Sequence, residues 1–109
     1  MSTISTHVLD TASGKPAEGI RVTLQRDGSL IGTSVTDQDG RVRNLLAHGS
    51  TLSEGDYHLT FSVADYFGNT KRRSFYNEIV IHFHIANEEE HYHVPLLLSP
   101  FGYSTYRGS

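Results

Sequence analysis

Apolar and polar residues alternate at period two through much of this chain, the pattern of β-strands that bury one face. The clearest run covers residues 79–85, with Ile79, Ile81, Phe83 and Ile85 on one side and Val80, His82 and His84 on the other. Residues 57–63 repeat it, setting Tyr57, Leu59, Phe61 and Val63 inward and His58, Thr60 and Ser62 outward. Residues 20–26 oppose Ile20, Val22 and Leu24 to Arg21, Thr23 and Gln25, and residues 4–10 oppose Ile4, Thr6 and Val8 to Ser5, His7 and Leu9. From residue 91 on, Tyr92, Val94, Leu96 and Leu98 supply core bulk, while His91, His93, Pro95 and Leu97 share the other face. Further strands are expected over residues 30–36 and 103–107.

Turn formers punctuate these runs. Asp27-Gly28 suits a tight primed hairpin, which needs positive φ. Residues 11–19, with Ser13-Gly14-Lys15-Pro16, form a loop, and Ser99-Pro100-Phe101-Gly102 connects the last two strands. Asp37-Gln38-Asp39-Gly40 partly matches a calcium loop but lacks the downstream glutamate and flanking helices, so it is a turn. Residues 64–68 allow one short helical turn before Gly68-Asn69. About eight short strands with almost no helix predict an all-β protein, an antiparallel β-sandwich of roughly immunoglobulin-like size.

Length and composition narrow the class. At 109 residues a single domain spanning 1–109 is expected, and 37% hydrophobic residues against 19% charged exclude a disordered chain. A formal charge of -3, with no basic run longer than Lys71-Arg72-Arg73, excludes a general nucleic-acid binder. The absence of cysteine removes disulfides, thiolate nucleophiles and cysteine-type zinc sites. With no basic-then-apolar leader and no apolar run near ~20 residues, the sequence predicts a cytoplasmic chain without a membrane partner.

The chemistry-bearing side chains are histidines and arginines. His82, His84, His91 and His93 occupy consecutive strands at spacing two; a hairpin would bring all four to one face, an arrangement that suits zinc or copper. The simpler reading is a polar outer face, with Asn87-Glu88-Glu89-Glu90 as a solvated connection. His7 taken alone is a half-exposed strand residue. Arg41, after the Asp-Gly turn, could offer a rigid fork of donors to a planar ring bearing several carbonyls. Arg43 would share its face, and the residues alone do not choose between them.

The C-terminal stretch, ending Tyr106-Arg107-Gly108-Ser109, resembles the signature of the transthyretin-related family. So do Thr6-His7-Val8-Leu9-Asp10, Thr36-Asp37-Gln38-Asp39-Gly40-Arg41 and Asp65-Tyr66-Phe67, so that the likeness spans the chain. The resemblance implies a transthyretin-like (prealbumin-like) sandwich with one helix. Its enzyme branch hydrolyses 5-hydroxyisourate to 5-hydroxy-2-oxo-4-ureido-2,5-dihydro-1H-imidazole-5-carboxylate in urate degradation. It further implies His7, Arg41 and His93 as catalytic residues, Arg41 being selected because the family's arginine directly follows Asp-Gly. Tyr106, Arg107, Gly108 and Ser109 would bind substrate, with no metal or other cofactor, in the interface channel of a homotetramer that is a dimer of dimers. A neutral imidazole, His7 or His93, is the natural proton acceptor for water near pH 7. The family also contains a thyroid-hormone carrier, but an apolar iodinated ligand wants an apolar channel, whereas His7, Arg41 and His93 offer a polar one. A pure interaction module would need none of these residues.

Overall fold

A computed structural model describes residues 3–46 and 52–109. The elements in order are β1 (Thr3–Asp10), β2 (Lys15–Pro16), β3 (Arg21–Arg26), β4 (Ser29–Val35), β5 (Arg41–Val42), β6 (Gly55–Ser62), α1 (Ala64–Asn69), β7 (Glu78–Ile85), β8 (His91–Ser99) and β9 (Gly102–Thr105). One sheet runs β2-β1-β8-β9, with β5 also paired to β1; the other runs β4-β3-β6-β7. The inward sets read from the alternation meet between them. Ile4, Val8, Leu96 and Leu98 of the first sheet and Val22, Leu24, Leu59 and Phe61 of the second are each fully buried, which is what a two-layer sandwich requires. Among the described residues no helix is long and apolar enough to cross a membrane.

The antiparallel expectation fails at one place. β1 and β8 pair in parallel, from Thr3 opposite His91 to Asp10 opposite Leu98. Parallel neighbours need a long crossover, and the chain from β3 to β7 supplies it by visiting the second sheet twice, with β5 set against β1 between the visits. The four-histidine face also does not form. β7 and β8 are consecutive in sequence but lie in different sheets, so His82 and His84 face outward from one layer while His91 and His93 face outward from the other. No group of three or more His, Asp or Glu side chains among the described residues is arranged to hold a metal ion.

The helix is tied to the first sheet by a buried carboxylate. Asp10 is fully buried; it accepts a 2.7 Å hydrogen bond from the Tyr66 hydroxyl, the backbone N–H bonds of Ala12 and Ser13, and the Arg72 guanidinium. Burial alone would raise its pKa, but the Arg72, Tyr66 and Ser13 hydrogen bonds and the guanidinium charge outweigh it and hold Asp10 at about 2. Burial and the Asp10 carboxylate push the Tyr66 phenol up to about 12. Because the folded pKa of Asp10 lies below the ordinary 3.8, its contribution is complete above about pH 4 and is lost as pH falls toward 2. A shift of this size corresponds to about 2 kcal/mol. Asp10→Asn is therefore expected to lower the unfolding free energy from urea titration at pH 7 by about 2 kcal/mol and to flatten the loss of stability between pH 4 and 2.

Candidate active site

The polar face of β1 and β8 carries the site. Across β1, His7 is the register partner of Arg41 in β5 on one side and of Pro95 in β8 on the other. Two and four residues back, Ser5 pairs with His93 and Thr3 with His91. Strand parity places Ser5, His7, His91 and His93 on the same outward face. A hollow of about 270 Å³ opens there, lined among others by Ser5, Arg41, Arg43, His91, His93 and Ser109.

Arg41 reaches this face through a clamped turn. The Asp37 carboxylate accepts the N–H bonds of Asp39, at 2.9 Å, and Arg41, at 3.0 Å, while Asp37 N–H donates to the Arg41 carbonyl. The Arg41 N–H bond is the largest of the effects that hold the Asp37 carboxyl below its ordinary pKa. Gly40 turns the chain at φ +75, and its carbonyl accepts from Val8 N–H at 2.7 Å. A Cβ at Gly40 would meet the Val8 carbonyl oxygen at 2.4 Å, so a larger residue would push β5 off β1 and carry Arg41 with it.

His93 is half-buried. Burial is the largest cause lowering its pKa, followed by the charges of His91, Arg41 and His7. At neutral pH the ring is therefore uncharged and able to accept a proton. Its Nδ1 lies 2.7 Å from Ser5 Oγ, and that hydroxyl also lies 3.3 Å from His91 Nε2. The His91 and His93 rings stack at 13°, their centroids 6.4 Å apart.

The terminal tetrapeptide divides between two places. Gly108 N–H donates to the His93 carbonyl at 2.8 Å, and a Cβ there would meet His93 Cδ2 at 2.5 Å. Only glycine lets the tail lie so close to the ring, and Ser109 then reaches the hollow. Arg107 lies on the opposite side. The pairing of Leu96 with Thr105 and of His93 with Gly108 keeps one register, so period two turns Arg107 away from His93. Its guanidinium sits 4.6 Å from the Tyr92 ring centroid and 3.4 Å from Glu90 Oε2. Tyr106 and Arg107 line a second hollow, about 330 Å³, with Ile81, Phe83, Tyr92 and Val94 at the open side of the sandwich. Within one chain, then, Arg41, His93 and Ser109 meet at the hollow with Gly108 against His93, and His7 stands beside Arg41 in register without lining it; Tyr106 shares their face by the same register yet borders the second hollow, and only Arg107 turns away. Sequence reasoning did not assign a role to Ser5; its parity with His7 was the available signal.

Residues 4–108 match the profile of the HIUase/Transthyretin family. The chain belongs to this family. Relatives that carry a name are close in sequence: a 5-hydroxyisourate hydrolase of Salmonella dublin is 46% identical over 110 residues, 97% of this chain and 80% of that protein. A solved structure, 5-hydroxyisourate hydrolase of Klebsiella pneumoniae, superposes with a TM-score of 0.91 at 41% identity over 100% of both chains. Sea bream transthyretin in complex with thyroxine shares the fold at a TM-score of 0.87, with 29% identity over 97% of this chain and 94% of that one. The chain is thus more similar to these hydrolases than to that transthyretin.

Proposed function

We infer that the chain hydrolyses 5-hydroxyisourate, opening a cyclic amide to a carboxylate. The observation that carries this reading is the joining of His7, Arg41 and His93 on one polar face in a chain 46% identical to a curated hydrolase of that substrate. The uncharged His93 ring takes a proton as water attacks the ring carbonyl. Negative charge then develops on oxygen, where the Arg41 guanidinium, carried on a clamped backbone, stabilises it. His7, beside Arg41 in register, orients the water or the leaving nitrogen. Gly108 and Ser109 border the substrate, and Arg107, held by Glu90 and Tyr92, anchors the tail that delivers Ser109.

An open sheet face is too wet for strong electrostatic catalysis. A second subunit supplies the opposite wall, in keeping with a homotetramer whose sites lie between subunits. No step calls on a metal. Chelator-treated protein should therefore turn freshly made 5-hydroxyisourate into the ureido-imidazoline carboxylate at the untreated rate, read by carbon NMR. Loss of turnover that returns with added zinc would overturn this part of the reading. Because His93 is held below its ordinary pKa, the acid limb of kcat/KM is expected below about pH 6.5; a limb above that value would point to a different base.

A further inference from the structure

A line of hydrogen bonds leads from the half-buried His93 to the solvent. His93 Nδ1 meets Ser5 Oγ at 2.7 Å, Ser5 Oγ meets His91 Nε2 at 3.3 Å, and His91 Nδ1 meets Thr3 Oγ1. His91 and its contact with Thr3 are exposed, whereas Ser5 is 8% exposed. The parallel register creates the line, because Thr3 and Ser5 of β1 stand opposite His91 and His93 of β8.

A hydroxyl has one proton to give and lone pairs to receive with. If Ser5 donates to one imidazole it accepts from the other, so the tautomers of His91 and His93 are coupled through it. We propose that Ser5 and His91 are positioning residues for His93: Ser5 accepts from His93 Nδ1–H and donates to His91 Nε2, leaving His93 Nε2 bare to take the proton of water, while His91 receives the displaced charge. This rests on His93 acting as the base in the reading above.

The proton count balances. As the water oxygen bonds to the carbonyl carbon, its proton goes to His93 Nε2, the Nδ1 proton passes to Ser5 Oγ, and the Ser5 hydroxyl proton passes to His91 Nε2. His93 ends neutral, His91 ends as imidazolium in water, and the negative charge sits on the substrate oxygen near Arg41. When the carbon–nitrogen bond breaks, the ring nitrogen takes the His93 Nε2 proton and the line runs backward, restoring both rings; the new carboxylic acid then ionises. The benefit is electrostatic. An imidazolium at position 93 would stand half-buried beside Arg41 and His7, whereas position 91, which borders the same hollow, is exposed to water. The burial and neighbouring charges that lower the pKa of His93 oppose the same species.

The test uses the full chain in its native assembly. In nitrogen-15 spectra of labelled protein at pH 7, His93 should carry its proton on Nδ1, and Ser5→Ala should convert it to a tautomer mixture. Ser5→Ala should lower kcat by about tenfold or more with KM nearly unchanged, since a base in the wrong tautomer cannot act. Ser5→Thr, which keeps the hydroxyl, should restore most of kcat. His91→Ala should lose rate that imidazole buffer returns in a concentration-dependent way, with no such response in the unsubstituted protein. A His93 proton fixed on Nε2, an unaltered kcat in Ser5→Ala, or equal losses in Ser5→Ala and Ser5→Thr would overturn the proposal. So would a His91→Ala rate indifferent to buffer. The nitrogen spectra need no substrate, so absent turnover by the unsubstituted protein would sink the hydrolase reading separately from the tautomer result.

Discussion

Arg41→Lys is expected to lower kcat for 5-hydroxyisourate by about a hundred- to a thousandfold, the range found when an oxyanion-stabilising donor is removed. An ammonium keeps the charge but loses the planar fork that meets two oxygens at once. The effect should be large because the backbone at Arg41 is fixed on both sides, by Asp37 within the turn and by His7 across the strand pair. The backbone is thus placed before substrate arrives, and the planar fork has only its own side-chain torsions to settle on the substrate. Arg43 borders the same hollow but lies beyond the end of β5, so Arg43→Lys should cost less than about tenfold. Steady-state rates for the two variants decide between them. A larger loss in Arg43→Lys would transfer the oxyanion role to that residue.

Deleting residues 106–109 is expected to leave a folded, assembled protein with activity reduced by at least about a hundredfold, a size typical of lost positioning at a catalytic group. The deleted residues add nothing to the buried core, and Tyr106 is 57% exposed, so the melting temperature should change little. The activity falls for a local reason. Gly108 covers His93 and bonds its carbonyl, and Ser109 closes one side of the hollow; without them His93 gains water and the pocket loses a wall. Sedimentation reports assembly and substrate decay reports rate. A truncated protein that assembles and turns over normally would refute the tail's role, and an active monomer would refute a site shared between subunits.

Much of this was legible in the chain because strand parity is a local property. The inward sets around Ile4, Leu59 and Leu96 and the outward placing of His7 and His93 follow from period two, and the structure keeps them. Pairing is a non-local property and was less legible. Consecutive strands usually pair, which is why residues 79–85 and 91–98 read as a hairpin; instead β7 closes one sheet and β8 lies inside the other. That separation dissolves the four-histidine face and at the same time sets Ser5 against His93, a contact that no pattern within either strand announces. Arg107 shows the same limit at smaller scale. It is adjacent in sequence to Gly108 yet faces Tyr92 and Glu90, because neighbours on an extended chain point apart.

Hydrolase activity is tested most directly by the decay of 5-hydroxyisourate, generated from urate by urate oxidase and followed by absorbance with and without the purified chain. Decay should accelerate in proportion to added protein and fall to near the spontaneous rate with His93→Ala. A decay rate unchanged by the unsubstituted protein would contradict it.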